Sequence, residues 1–279
     1  KGLVLGGSYA PMSEGTSFAG DLNSILVHHM PALGNMVRIP GKETLLMNEW
    51  TSKMEAIVRE VADARVGSLS GVPSWMMVLL KDVLAYTGAS NIAELWPSLE
   101  VFFHGGISFE PYREAYCELI PSTKMHYEEI YNASEGFFAI QDEPNEKDML
   151  LMLDYGVFYE FIPLDALPDD EDALIDPQLP IPLWEVEQGV TYAMLITTLG
   201  GLHRYLIGDT VEFTGLSPYR IVISGRTKHY INAFGEELMV ANAEKALAQA
   251  CSKTGAKVRD YTAAPHFFRE EGKGRHDWL

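Results

Sequence analysis

The chain has 279 residues, 47% of them hydrophobic, and a formal net charge of −18. That length fits one large domain or two smaller ones, and the acidic balance argues against a polyanion-binding surface, so no nucleic-acid partner is expected. A nucleotide remains compatible, because its phosphates need only a local site with a metal ion and a few cations.

No apolar run approaches the ~18 residues of a membrane span, and no membrane partner is expected. The start, Lys1 to Gly7, lacks the charged, apolar and cleavage order of a secretory signal. Only Cys117 and Cys251 occur, far apart in sequence. That pattern suggests a reducing compartment without a disulfide framework, and a cytoplasmic location is the expectation. Lys1 is not an initiator, and the last residues, His276-Asp277-Trp278-Leu279, are strand-like. The chain is therefore expected to be an internal piece of a longer protein.

In chain order, Gly2–Gly7 reads as a short buried strand running into a turn. Asp21–Met30 has a helical apolar pattern in Leu22, Ile25, Leu26 and Met30, ended by Pro31. His28 and His29 fall at its end; adjacent helical residues point about 100° apart, so a surface or capping role is preferred to metal ligation. Asn48–Ala64 is a second helix with Trp50, Met54, Ile57, Val58 and Val61 on one stripe. Ser68-Leu69-Ser70-Gly71-Val72-Pro73 reads as a loop, and Ser74–Tyr86 as a strongly apolar helix. Its Trp75, Met76, Met77, Leu79 and Leu80 are residues of the kind that build cores.

Leu99–Phe103 reads as a buried strand broken by His104-Gly105-Gly106. Glycines at a strand end permit close approach of a flat ring to the backbone; the alternative is a plain tight turn. His126–Ile130 is the next strand, with Tyr131-Asn132-Ala133-Ser134-Glu135-Gly136 at its carboxyl end, where open α/β sheets place ligands. Phe137–Ile140, Met149–Leu153 and Val157–Phe161 read as strands of an antiparallel region. Asp169-Asp170-Glu171-Asp172 reads as a solvated acidic loop. Val190–Thr198 alternates as a strand. Val240–Ser252 reads as a helix ended by Gly255, followed by a strand at Val258–Thr262.

The densest stretch is Gly201–Glu237. A Gly-Asp corner, Gly208-Asp209, lies between the apolar Tyr205-Leu206-Ile207 and the alternating Thr210-Val211-Glu212-Phe213. A carboxylate at the lip of a strand, beside a glycine that lets a ligand come close, suits a sugar diol; taken alone, it also fits a solvated Asp in a turn. Gly225-Arg226-Thr227-Lys228 follows the strand-like Tyr219–Ile223, and taken alone it also fits a basic β-turn.

Taken together and in this order, YNASEG, RYLIGD and GRTK resemble the three signatures of the acyl-adenylate-forming superfamily. Within it the chain looks like the Gretchen Hagen, or auxin-responsive promoter, family of acyl-acid amido synthetases in its bacterial branch. SLSGVPSWM, WPSLEVFFHGGISFEPYRE and INAFGEELMVANAEKAL carry the resemblance over nearly the whole chain. It implies an α/β fold with a large N-terminal domain of mixed sheets and helices, partial here as residues 1–225, and a hinge with the start of a small α+β domain over 226–279. It also implies ATP and Mg²⁺ as cofactors, and a small carboxylic acid and an amine such as an amino acid as substrates. An acyl-CoA or acyl-carrier ligase and a degenerate, non-catalytic nucleotide-binding protein remain the alternatives.

Residue by residue, the resemblance lays Gly105 and Gly106 against adenine and stacks Tyr131 on it. Asn132 lies within the same signature. Ser134 would hydrogen-bond a phosphate or the acyl carboxylate, and Glu135 would hold Mg²⁺, a hard cation that prefers oxygen. Asp209 would accept the ribose hydroxyls, Arg226 would face the nucleotide, and Lys228 would be the pivot of the small domain. Val72 and Trp75 match the acyl-acid pocket. For Glu135 the alternative is a surface carboxylate, and for Tyr131 a core aromatic. Asn132 departs from the usual glycine. Leu206 stands where the superfamily has arginine, with Arg204, across Tyr205, as the candidate substitute. The Ser/Thr-Gly phosphate loop and the catalytic lysine are expected outside residues 1–279. No GxxxxGK[ST] loop, strand-linked GxGxxG, GxSxG elbow or zinc-type Cys/His spacing competes with this reading.

Overall fold

The computed structural model describes residues 1–6, 9–11, 18–20, 22–106, 109–144, 146–168, 175–227, 230–231, 238–258, 261–266 and 275–278. It divides into two compact units, Lys1–Ile130 and Tyr131–Leu279. The expected acidic loop at 169–172 and the expected pivot Lys228 lie outside the described residues.

In the first unit, Gly2–Val4 (β1), Arg38–Ile39 (β2), Ser68–Gly71 (β3), Val101–His104 (β4) and the start of His126–Ala133 (β5) form a parallel sheet in the order β2-β1-β3-β4-β5. The register aligns Leu3, Leu69 and Phe102 across three strands, and all three are buried. Parallel strands need crossover connections, and helices supply them: Leu22–His29 (α1), Trp50–Ala62 (α2), Pro73–Thr87 (α3) and Arg113–Leu119 (α4). Glu49 caps α2 by accepting hydrogen bonds from the Thr51 and Ser52 amides at 2.9 and 2.6 Å, satisfying donors that the first turn leaves open. The stripe Met54, Ile57, Val58 and Val61 is buried as its spacing requires. Trp50, in the first turn, instead lies partly exposed with its ring edge-on to Trp75 at 5.8 Å. From α3, Met76, Met77, Leu79 and Leu80 enter the core, whereas Trp75 is 47% exposed.

The stretch Ser68–Pro73, expected as a loop from its Ser, Gly and Pro content, is a strand as far as Gly71. Partners on both sides take its backbone hydrogen bonds, and buried Leu69 fixes its face; that tertiary pairing outweighs local composition.

In the second unit, Gly136–Ile140 (β6), Met149–Leu151 (β7), Val157–Pro163 (β8), Ile181–Pro182 (β9), Thr191–Thr198 (β10), Tyr205–Leu216 (β11) and Tyr219–Arg226 (β12) form an antiparallel sheet ordered β9-β8-β10-β11-β12-β7-β6. Its inward face carries a cluster of aromatic and branched side chains. Phe161 and Phe213 meet edge to face at 5.0 Å, with Phe138, Met194, Val211 and Ile221 around them. The helix Val240–Thr254 (α5) follows. The strand expected at Val258–Thr262 forms later, at Ala263–His266, where Arg275–Trp278 pairs with it antiparallel. The mixed α/β architecture is the one expected. Among the described residues, no helix is long and apolar enough to cross a membrane.

Replacing Phe213 by Ala should remove a buried ring from the centre of the second core and lower the unfolding free energy by ~3–5 kcal/mol. Leu199→Ala, at a position 95% exposed, should change it by less than ~0.5 kcal/mol. Urea unfolding of both variants checks the pair.

Candidate functional site

The expected Gly-Asp corner is instead a distortion within one continuous strand, β11. Between the pairs Ala193↔Thr210 and Leu195↔Leu206, one residue of β10 faces three of β11. On the other edge, Ser224 is the extra residue of β12 between Thr210↔Gly225 and Val211↔Ile223. Gly208 takes φ +88°, a conformation that a side chain would disfavour. Its carbonyl accepts from the Thr227 amide at 2.7 Å and the Thr227 hydroxyl at 3.2 Å. Bulges on both strands re-aim side chains, and here they set Asp209 directly opposite Arg226.

Tyr131 donates its hydroxyl to Asp209 Oδ2 at 2.7 Å, and Arg226 Nε donates to Oδ1 at 2.8 Å. Tyr131 is only 4% exposed, and its ring lies 5.0 Å from that of Phe138. Burial first, and then the Asp209 charge and hydrogen bond, push the Tyr131 pKa far up, so the phenol keeps its proton and acts as donor. The Asp209 side chain is 14% exposed and that of Arg226 52%. A carboxylate has about four acceptor positions. With one used on each oxygen, one on each remains, which suits two neighbouring hydroxyls.

β5 runs further than Ile130, through Ala133, so Tyr131 and Asn132 are strand residues. Its pleat buries Tyr131 and exposes Asn132. Ser134, exposed, and Glu135, half-buried, form the turn into β6. Of the residues expected at the site, Tyr131, Asp209 and Arg226 are brought together in the second unit. Val72, Trp75, Gly105 and Gly106 belong to the first. There a Cβ on Gly105 would collide with the Ile130 carbonyl oxygen, and one on Gly106, at φ +84°, would meet Val72 Cγ2 at 3.6 Å. Arg204 is committed elsewhere: Nε donates to both Glu160 oxygens at 3.1 and 3.0 Å, and Nη1 to the Pro177 carbonyl at 3.0 Å. Thr227 and Phe138 escaped the sequence reading. The signals for them were a hydroxyl within GRTK and the apolar run Phe137–Ile140.

A model described as the GH3 family N-terminal domain matches residues 10–125, and the GH3 family central domain matches residues 150–226. The chain belongs to the GH3 family. It is 28% identical over 183 residues to indole-3-acetic acid-amido synthetase GH3.4 of Arabidopsis thaliana, covering 62% of this chain and 30% of that protein. It is 31% identical over 138 residues to indole-3-acetic acid-amido synthetase GH3.8 of Oryza sativa subsp. indica, covering 46% and 21%. Among solved structures, GH3.15 acyl acid amido synthetase superposes with a TM-score of 0.75 at 14% identity, covering 99% of this chain and 57% of that one. 2-Hydroxyisobutyryl-CoA ligase in the postadenylation state gives 0.58 at 16%, covering 81% and 44%. These likenesses show that the chain shares the fold of those two enzymes. The chain spans under a third of the curated relatives it matches and a little over half of the GH3.15 chain.

At the end of β4, His104 is buried with its ring stacked on Phe109 at 4.2 Å, and neither ring nitrogen is hydrogen-bonded. Burial, with a smaller contribution from Arg113, holds its pKa down to about 4 from an ordinary 6.5. The unfolded chain therefore binds a proton that the folded chain refuses between those values. Stability should fall as pH drops from 6.5 to about 4 and level off below. In His104→Leu that component should vanish, changing the wild-type-to-variant difference by on the order of 3 kcal/mol across the window; denaturant melts at pH 7, 5 and 4 measure it. Arg204→Ala should lower the denaturant midpoint by stranding the buried Glu160, and adding Glu160→Gln should recover part of the loss.

Proposed function

We propose that the chain is the nucleotide-binding part of an ATP-dependent acyl-acid amido synthetase, which activates a carboxylic acid as an acyl-adenylate and transfers the acyl group to an amine such as an amino acid. The observation that carries this reading is the convergence of Tyr131, 78 residues away in sequence, and Arg226, on the neighbouring strand, on one carboxylate, Asp209, with two acceptor positions to spare. The relatives bearing the GH3 name are amido synthetases, and this supports amide formation over other fates of the adenylate.

Hydroxide is a poor leaving group, so a free carboxylate must first be activated. The acid oxygen attacks the α-phosphorus of ATP, and pyrophosphate leaves. The amine then attacks the acyl carbon, loses a proton, and AMP departs. Positioning and charge neutralisation dominate such a reaction. Asp209 accepts the ribose diol, and Arg226, half-exposed beside it, faces the anionic nucleotide. The glycines Gly105 and Gly106 are the residues offered to the adenine, whereas Tyr131, buried against Phe138, reaches Asp209 with its hydroxyl. At Gly105 a Cβ would collide with the Ile130 carbonyl oxygen, so packing within the first unit by itself requires glycine there. Asn132 borders this signature, and Ser134 reaches a phosphate or the acyl carboxylate. Val72 and Trp75 face the acid. Residues 226–279 begin the small domain, with Lys228 as its pivot.

Mg²⁺ fits the donor chemistry as a shared ligand. Among the described residues no group of three or more His, Cys, Asp or Glu side chains could hold a metal, but Mg²⁺ is commonly bound by one or two carboxylates plus substrate phosphates. Glu135, in an accessible turn, is the carboxylate offered. The ion would neutralise phosphate charge.

Pyrophosphate release by the intact protein over a panel of carboxylic acids tests the activity, and silence on every acid would favour a non-catalytic binding protein. AMP release that depends on an amino acid identifies an amido synthetase; dependence on coenzyme A instead would identify a CoA ligase. In Asp209→Ala, nucleotide affinity should fall by ~1.5–3 kcal/mol per lost charged hydrogen bond, read by calorimetry. Glu135→Gln should raise the Mg²⁺ concentration needed for half-maximal pyrophosphate release, and an unchanged dependence would make Glu135 structural.

A further inference from the structure

We infer that Tyr131 acts on the nucleotide through Asp209, as a positioning residue whose buried hydroxyl fixes the carboxylate so that its two spare acceptor positions meet the ribose diol. This rests on the nucleotide reading above and deepens it. A residue that stacks on a base must offer a ring face to the ligand, but Tyr131 is only 4% exposed and its ring lies against that of Phe138. What Tyr131 contributes at the lip of the site is its oxygen, 2.7 Å from Asp209 Oδ2.

The geometry explains why a second holder is needed. Asp209 hangs from a doubly bulged stretch beside Gly208, where the regular ladder does not fix the side chain. Its other partner, Arg226, is half-exposed and donates from Nε to Oδ1. An exposed guanidinium exchanges readily with water and ligand phosphates. The phenol, by contrast, is held by the core on every side and keeps its proton. Tyr131 is thus the fixed point and Arg226 the exchangeable one. Because one acceptor position on each oxygen is already used, one on each is left for the two hydroxyls of the diol.

The reading makes diol recognition, rather than affinity alone, depend on Tyr131. The test uses the intact protein and calorimetric dissociation constants for AMP and 2′-deoxy-AMP. Wild type should prefer AMP by roughly tenfold, as loss of one hydrogen bond to a charged group implies. In Tyr131→Phe, which keeps the ring and removes one oxygen, that preference should collapse to about twofold or less, with the melting temperature still marking a folded protein. Asp209→Asn supplies a second arm. Adding Tyr131→Phe to it should leave AMP affinity unchanged, because the residue has no carboxylate left to position. If Tyr131→Phe weakens both ligands equally, or keeps the tenfold preference, Tyr131 acts as an adenine platform or a core residue and the inference fails. Independently of the single variant, a further loss of AMP affinity when Tyr131→Phe is added to Asp209→Asn would overturn the inference in the same way. Failure of the wild type itself to bind AMP, or to distinguish it from the deoxy form, would instead strike the nucleotide reading on which the inference stands.

Discussion

A carboxylate drawn mostly out of water needs partners that replace the hydration it loses, and the arrangement around Asp209 follows from that need. One partner is a buried phenol and the other a half-exposed guanidinium, one on each oxygen. Gly208 supplies the left-handed backbone, and the irregular pairing on both sides of β11 turns Asp209 toward Arg226. Thr227 closes the distortion by satisfying the Gly208 carbonyl twice. The cost of a broken ladder is thereby offset locally, and a charged group is left aimed outward from a stiff antiparallel sheet.

The two cores make that stiffness. Around β11, Val211 and Phe213 point into the aromatic cluster while Asp209 stays at its edge. In the first unit the strand β4 ends at His104, and of the two glycines beyond it Gly105 lies against the carbonyl of Ile130 and Gly106 against Val72. Both units thus present their chemistry where strands end or distort, and their interiors are committed to packing. The same division appears in Arg204 and Glu160: a strong ion pair, close to the signature in sequence, is spent on holding a loop.

Much of this was legible from residue order. The alternation Thr210 to Phe213 fixed a strand, the stripe Met54, Ile57, Val58 and Val61 fixed a helix, and a carboxylate beside a glycine marked the site. What escaped has physical causes. Ser68–Gly71 carries loop-like residues and becomes a strand only because neighbours pair on both sides, a non-local fact. The bulges are invisible because they arise from register between strands distant in sequence. Tyr131 was placed by motif against adenine; its contact with Asp209, 78 residues away, needs the folded sheet to appear. Arg204 stood beside the signature, but its commitment to Glu160 depends on a partner 44 residues back.

The most direct measurement is a crystal structure of the intact protein with AMP bound. The account expects both ribose hydroxyls within hydrogen-bonding distance, ~2.5–3.0 Å, of the Asp209 carboxylate, with the Tyr131 hydroxyl still on Oδ2. A ribose held by other groups, with Asp209 still closed on Arg226 and remote from the sugar, would contradict it.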